Sequence, residues 1–406
     1  MSLRQKIENI APLFEAGGKY NKYYPIYEMV ETFVYAINQP TKVAPHIRHD
    51  LDLKRTMIYV VLATIPALLF GLYNVGYQAN WVLQAMNVTE TEGWRSIIMD
   101  SIGYNPNNMF ANLIHGLLYW LPIYVVTVVA GGVCEVVFSV IRKHEVNEGF
   151  LVTSMLYSLI LPPDTPLWMV AMGIIFGVII GKEVFGGTGK NFLNPALVAR
   201  AFLYFAYPAS MSGDSVWRVV NGTGAIDGYS GATILGIGAT EGPEAFASYG
   251  FTWWDAFMGF VPGSIAETST FAILLGGVFL LGSKIGNWRM VAGCMLGMVG
   301  ISSLLNLIGS DTNPMFALAW HWHLVAGGFA FGMIFMVTEP VSGSMTNTGR
   351  WIYGALIGAV CVFIRVVNPA FPEGMMLAIL FGNIFAPLID YAVVKANIAR
   401  RMQRHV

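Results

Sequence analysis

The chain has 406 residues, of which 55% are hydrophobic and only 12% are charged, and its mean hydropathy is +0.57. Soluble domains carry roughly 25% charged residues, so this composition predicts a membrane protein. A net charge of -1 without a basic stripe gives no reason to expect nucleic acid as a partner.

The first 55 residues are polar and contain no signal-peptide core, which predicts a cytoplasmic N-terminal arm. Apolar runs of nearly the length that a bilayer requires, about 17 to 25 residues, follow this arm. Seven such runs lie at 56–75, 112–141, 167–184, 290–308, 315–337, 351–367 and 375–394. Three shorter runs lie at 149–161, 195–208 and 269–282. We count these three as spans; the alternative is that they are buried or re-entrant helices.

The basic residues orient these ten spans. With the N-terminus inside, all of the 23 lysines and arginines lie on the inner side except Arg95, Arg200, Arg218 and Arg365. Inner-membrane proteins show this excess of Lys and Arg in their cytoplasmic loops. We therefore predict an all-α polytopic protein of a bacterial inner membrane, with about ten transmembrane helices and both termini in the cytoplasm.

Two short segments indicate an internal repeat. The letters N-P-A occur at 194–196, where span five opens, and at 368–370, before span ten. In each, Asn suits a helix cap and Pro suits the first helical turn. An odd number of spans per half inverts the second half, so we predict a five-plus-five inverted repeat with its functional site where the halves meet. The predicted parts are an arm (1–55), a first five-helix repeat (56–208), an outer loop (209–268), a second five-helix repeat (269–395) and a basic cytoplasmic tail (396–406).

The outer loop contains the stretch D-G-Y-S-G-A-T at 227–233. Loops of this length are uncommon in compact domains and are usually functional or disordered. On its own, S-G-A-T is a Ser/Thr turn or a helix cap. Preceded by Asp and Gly, it resembles the acceptor site at which a flavin transferase joins FMN, through its phosphate, to a threonine hydroxyl. The motif consists of Ser230, Gly231, Ala232 and the acceptor Thr233.

Longer strings extend this resemblance over essentially the whole chain. They are G-K-E-V-F-G-G-T-G-K-N-F-L-N-P-A (181–196), V-P-G-S-I-A-E-T-S-T (261–270), S-D-T-N-P-M-F (310–316), W-H-W-H-L-V-A-G-G-F-A-F-G-M (320–333) and R-V-V-N-P-A-F-P-E-G-M-M-L-A-I-L-F-G-N (365–383). Together they resemble the B subunits of the bacterial Na+-translocating NADH:quinone oxidoreductases.

That resemblance implies a membrane subunit of a respiratory Na+ pump, with covalent FMN on Thr233 and non-covalent riboflavin against Asn191 and Asn194. Electrons would pass from the FMN of a neighbouring subunit through these flavins to ubiquinone, coupled to Na+ export. The implied partners are that FMN-bearing subunit, an NADH-oxidising flavin and iron–sulfur subunit, the flavin transferase and the lipid bilayer. From the residues alone, Asn194 is equally well explained as a helix cap.

The resemblance further implies a quinone and inhibitor region at Gly131 and Gly132, together with the N-terminal arm. The letters A-G-G-V-C-E-V at 130–136 are otherwise typical of small-residue helix packing. The three cysteines, Cys134, Cys294 and Cys361, also lie in apolar runs, without metal-ligand spacing. We interpret them as packing residues and expect no transition-metal site.

Acids inside a membrane are costly and are therefore functional candidates. The resemblance implicates four of them in Na+ uptake: Glu28, Glu135, Glu339 and Asp390. Where this chain has Glu339 the family often has Asp, which leaves direct coordination by Glu339 open. The competing interpretation is that these acids form ion pairs with Arg200 or Arg365.

His321 and His323 flank Trp322 at the outer start of span eight. Residues two apart on a helix point to different faces, so we expect an interfacial aromatic and polar belt here rather than a metal site.

Two other functions remain possible from the sequence. The D subunit of the Rnf-type ferredoxin:NAD+ oxidoreductases shares S-G-A-T and the membrane core but lacks a long arm like residues 1–50. A solute channel or transporter built on an inverted repeat would use S-G-A-T as a mere turn and would carry no covalent flavin.

Overall fold

Helices form the regular structure of the chain. The computed structural model describes residues 3–14, 17–25, 27, 53–85, 93–143, 146, 149–213, 216–219, 232–368 and 373–403, and no strand occurs among them. Ten elements match the ten apolar runs: α1 (Leu53–Ala85), α2 (Met109–Arg142), α3 (Gly149–Leu159), α4 (Leu167–Gly181), α5 (Pro195–Ala206), α6 (Thr270–Gly282), α7 (Trp288–Ile308), the two-part α8, α9 (Asn347–Val367) and α10 (Met375–Met402). Shorter helices are Leu3–Phe14, Asn21–Tyr23, Trp94–Ile102, Glu183–Phe185, Pro208–Met211, Ile234–Thr240, Pro243–Ala247, Trp253–Met258 and Pro314–Ala317.

Six of the ten elements are long and apolar enough to cross a bilayer unaided, namely α1, α2, α4, α7, α9 and α10. The three short apolar runs form α3, α5 and α6, which are shorter than a bilayer is thick. The all-α polytopic prediction is confirmed.

Span eight is broken. Its first part, α8a (Trp320–Val325), is separated by residues 326–328 from α8b, which comprises Phe329–Phe331 and a π-helical turn at Gly332–Met336. Gly327 has φ +62°, a conformation that favours glycine. The prediction of one uninterrupted span over 315–337 is wrong at this point, because hydropathy reports apolarity and not helical continuity.

The freed carbonyls of α8a are satisfied by a buried cation. Arg365 of α9 donates to the carbonyl oxygens of His323 at 2.8 Å and Ala326 at 2.9 Å. Its side chain is fully buried. Unwound backbone is tolerated at membrane depth only when protein groups satisfy it, and the Arg365 guanidinium does so here.

The helix contacts repeat between the halves. In the first half α2 packs on α4 and α4 on α5; in the second, α7 packs on α9 and α9 on α10. Equivalent helices also meet across the junction, since α1 contacts α6 and α5 contacts α10. These contacts agree with a five-plus-five inverted repeat, which stays a prediction.

The first of the two N-P-A segments caps a helix. Asn194 Oδ1 accepts from the backbone N–H groups of Ala196 at 3.0 Å and Leu197 at 3.2 Å, so it caps α5 as predicted. Asn368 instead ends α9, and α10 begins only at Met375. Whether Asn368 also caps a helix start stays a prediction, because residues 369–372 lie outside the described residues.

The described parts of the 209–268 loop fold against the membrane helices. The Trp253 indole donates to the His321 carbonyl oxygen at 3.1 Å, which fixes the Trp253–Met258 helix on α8a. Near the end of the loop, Ile265 N–H donates to Leu161 at 3.3 Å and Ala266 N–H to Leu159 at 3.0 Å. The segment that leads into α6 thus pairs with the unwound end of α3.

Candidate functional site

A cleft that we call the Asn194 cleft opens where the two halves meet. Its walls come from α1, α3 and the turn before α5 in the first half, and from α6, α8b and the segment after α8b in the second. They include Thr56, Val152, Thr188, Asn191, Asn194, Leu280, Phe335 and Glu339. The cleft encloses about 750 Å³, counting its open mouth, which falls in the range of small-molecule and cofactor sites.

The structure brings together residues that the sequence analysis assigned to two different ligands. Asn191 and Asn194 lie in the turn and cap before α5, and both line the cleft together with Glu339. The Ser342 hydroxyl also donates to Glu339. The predicted riboflavin contacts and one predicted Na+ ligand therefore share one wall of one cleft.

Glu135 forms an ion pair, although not with either predicted arginine. Its Oε1 lies 2.5 Å from Nζ of Lys182, and both side chains are almost fully buried. Lys182 directly follows α4 and also lines the Asn194 cleft. The competing interpretation, an ion pair with Arg200 or Arg365, does not hold for Glu135, Glu339 or Asp390: Arg200 pairs with other glutamates, and Arg365 donates to backbone carbonyls.

Asp390 holds the segment that precedes α9, in which Thr346 is the N-cap residue. Its carboxylate accepts from the backbone N–H groups of Met345 at 2.7 Å and Thr346 at 2.9 Å, just before α9. The hydroxyls of Ser344 and Thr346 donate to it as well, at 2.7 and 2.6 Å. Asp390 thus fixes the cap residue Thr346, whose Oγ1 accepts from Gly349 N–H at 3.0 Å, so this geometry has a structural purpose of its own.

The glycine pair of α2 faces α3. A Cβ on Gly131 would lie 2.5 Å from the Phe150 ring, whereas one on Gly132 would lie at an ordinary 3.8 Å. Gly131 is therefore required for close helix packing, as the residue-based interpretation expected.

A second region, which we call the Thr233 cavity, contains the predicted acceptor threonine. It encloses about 480 Å³ with its opening, between the 209–268 loop, the break in α8 and the start of α10. Thr233 is half-buried and caps the Ile234–Thr240 helix, because its Oγ1 accepts from Gly236 N–H at 3.1 Å. Glu28, Ser230 and Gly231 lie outside the described residues.

A charged cluster that the sequence analysis missed borders this cavity. Arg200 of α5 lies 3.1 Å from Glu267 and 2.8 Å from Glu373, and the Ser264 hydroxyl donates to Glu267 at 2.6 Å. Both glutamates lie in short segments between apolar runs, so they were not among the acids predicted inside spans. The sequence feature that could have identified these two acids is their position beside short spans, in segments interrupted by Gly and Pro.

His323 does not lie in an interfacial belt. Its side chain is fully buried, and neither ring nitrogen has a hydrogen-bond partner among the described residues. His321 is only half-buried and packs against Trp253 and Trp320. The belt prediction is wrong for His323 because the Trp253–Met258 helix covers this end of α8a.

The chain is similar to known proteins of one family. Residues 40–399 match the model of the NQR2, RnfD, RnfE family. The chain is 59% identical over full length to the B subunit of the Na(+)-translocating NADH-quinone reductase of Ectopseudomonas mendocina (strain ymp), and 59% identical to that of Azotobacter vinelandii (strain DJ / ATCC BAA-1303). It is 54% identical to the corresponding protein of Chromohalobacter salexigens, covering 100% of this chain and 97% of that protein. The chain therefore belongs to the NQR2, RnfD, RnfE family, in the group of Na(+)-translocating NADH-quinone reductase B subunits.

Proposed function

We propose that this chain is the membrane subunit of a respiratory Na+ pump that relays electrons to ubiquinone through two flavins and couples this transfer to Na+ export. The flavins are FMN, esterified to Thr233, and riboflavin, bound in the Asn194 cleft. The observation that carries the proposal is the presence of two separate cavities at the junction of the halves, one with the acceptor threonine and the other with the two asparagine amides.

The Thr233 cavity fits a covalently held flavin. The threonine is only half-buried, so its hydroxyl is within reach of a modifying enzyme. Thr268 Oγ1 is buried in the cavity wall and has no hydrogen-bond partner among the described residues. Buried polar atoms are normally paired, and a ligand with polar edges supplies a partner.

The Asn194 cleft fits an unattached flavin. Its wall is largely apolar, while the carboxamides of Asn191 and Asn194 offer both donors and acceptors to the edge of a flavin ring. Thr188 Oγ1, also in the wall, is buried without a partner among the described residues. A mostly apolar pocket with a few directed polar groups is the usual design of a cofactor site.

The flavins supply the electron-carrying chemistry, and the protein sets their distance, electrostatics and exclusion of water. α5 links the two cavities, because Asn194 caps its start and Arg200 lies six residues further on. At 1.5 Å per residue these positions are about 9 Å apart along the helix axis. Rigid helix placement of this kind fixes the separation between the two sites.

The distribution of charge supports the proposed orientation of the chain in the membrane. The excess of Lys and Arg favours cytoplasmic termini and a periplasmic Thr233 loop, the side on which the flavin transferase acts. NADH oxidation then belongs to a partner subunit, as does the FMN that delivers electrons to this chain. Ubiquinone reduction is assigned to the Gly131 and Gly132 region together with the arm, and Na+ uptake to Glu339, the predicted acid that lines the Asn194 cleft.

In-gel fluorescence tests the covalent flavin. The chain is expressed with its partner subunits and the flavin transferase, denatured in SDS and illuminated; we expect a fluorescent band in wild type and in Thr233→Ser and none in Thr233→Ala. Thr233→Ser is the matched control, because it keeps both the hydroxyl and the helix cap. A dark wild-type band in the presence of active transferase would contradict the proposal and favour a channel or transporter.

A further inference from the structure

Lys182 places a positive charge in the wall of the Asn194 cleft. Among the described residues that line the cleft it is the basic one. Its side chain is 3% exposed and that of its partner Glu135 is 2% exposed, with Nζ and Oε1 2.5 Å apart. Glu135 itself does not line the cleft, so of the two charged partners it is Lys182 that belongs to the cleft wall.

Stability alone does not account for this ion pair. Burying two charges is expensive, and replacing a buried pair by apolar residues of similar size is often neutral or stabilising. Lys182 Nζ carries three donors, of which Glu135 engages one. An ammonium in the low-dielectric wall of a cavity acts strongly on any charge that appears inside it.

A second ion pair nearby lacks this geometry. Arg142, also on α2, lies 3.3 Å from Glu183, and its side chain is 35% exposed. Arg142 does not line the Asn194 cleft. Both pairs involve a residue of α2, but only in the Lys182–Glu135 pair does the basic residue line the cleft.

We propose that Lys182 is a positioning residue that favours electron uptake by the ligand of the Asn194 cleft, and that Glu135 attenuates this effect by pairing with it. The inference rests on the proposed function, in which that ligand is a flavin reduced by electrons from the covalent flavin. One electron entering the ring adds one negative charge beside the Lys182 ammonium, and no covalent bond is made or broken. Glu135 thereby acts as a counter-charge to Lys182.

Redox titration of the purified complex tests this inference. We expect Lys182→Met to make reduction of the non-covalent flavin at least ten-fold less favourable, a shift of about 59 mV to more negative potential for a one-electron couple. Lys182→Arg keeps the charge and should stay near wild type. Glu135→Gln removes the attenuation and should shift the potential to more positive values.

The double variant Lys182→Met/Glu135→Gln guards against misfolding, since it leaves no unpaired buried charge. Its potential should lie between those of Lys182→Met and wild type. Arg142→Met is the matched control and should leave the potential unchanged.

Two results would overturn the inference. Equal potentials in wild type, Lys182→Met and the double variant would make the pair purely structural. A Glu135→Gln variant with an altered Na+ requirement and an unaltered potential would make Glu135 an ion ligand and not a counter-charge. A wild-type complex that contains no non-covalent flavin would instead refute the proposed function, and this inference with it.

Discussion

Arg200 and Glu373 join the two halves of the membrane domain. Nη2 of Arg200, on α5, donates to Oε2 of Glu373, just before α10, at 2.8 Å. The same guanidinium lies 3.1 Å from Glu267, in the segment that leads into α6. One buried cation of the first half therefore neutralises two carboxylates at the entrances to two helices of the second.

Removing this cation should destabilise the protein strongly. Arg200→Met leaves Glu267 and Glu373 without their shared partner, and breaking a buried pair from one side costs about 3–5 kcal/mol. We expect a clearly lower Tm in detergent, and a smaller loss for Arg200→Lys, which keeps the charge but not the planar fork. The comparison is Arg142→Met, which leaves one buried carboxylate, Glu183, without this partner and not two; because Arg142 itself is 35% exposed, we expect a smaller loss. Equal losses in Arg200→Met and Arg142→Met would contradict this assignment.

Hydropathy was sufficient to locate the membrane helices, but it did not predict where one of them is broken. All ten apolar runs became helices, because burial in lipid and in the helix bundle selects the same residues. The break in α8 depends on Arg365, which reaches His323 from 42 positions further along the chain. Contacts between residues so far apart in the chain cannot be predicted from the local sequence.

The sequence predicted individual residues of the candidate site, but it did not predict which of them lie close together. Asn194 was identified both as a cap and as a ligand contact, and its capping is confirmed. Its proximity to Glu339 depends on the packing of one half against the other, which no motif encodes. The partner of Glu135 was missed because Lys182 had been assigned to an inner loop from charge counting, whereas its aliphatic stem and ammonium are buried.

Glu339 and Asp390 should respond differently to neutralisation. Glu339 faces the Asn194 cleft, and Glu339→Gln should raise the Na+ concentration that gives half-maximal quinone reduction. The oxygens of Asp390 are engaged by the residues before α9, and Asp390→Ala should lower stability by about 1–2 kcal/mol through loss of these hydrogen bonds. The measurements are Na+ titration of activity and thermal unfolding of both variants. A raised Na+ requirement in Asp390→Ala at unchanged Tm would reverse this distinction.

Alanine substitutions at the two glycines of α2 should distinguish a role in helix packing from a role in quinone binding. Gly131→Ala would force a shift of Phe150 and should cost about 1–3 kcal/mol. Gly132→Ala meets only an ordinary contact, so its Tm should not fall, while a quinone contact at this position would raise the KM for ubiquinone. Unfolding and steady-state kinetics measure the two effects. A wild-type KM in Gly132→Ala would remove that residue from the quinone region.

Asn194 holds two assignments, as the cap of α5 and as a contact of the cleft ligand, and one substitution separates them. Asn194→Ser retains a side-chain oxygen that suits the N-cap position but removes the amide group, so stability should change by only a few tenths of a kcal/mol. If the amide contacts the flavin, the complex should retain its covalent flavin and lose much of the extractable one, which acid extraction and chromatography measure. Asn287→Ser is the matched control, because Asn287 caps α7 in the same manner, with Oδ1 3.0 Å from Arg289 N, and does not line the cleft. Full flavin content in Asn194→Ser would assign Asn194 to capping alone and leave Asn191 to hold the ligand.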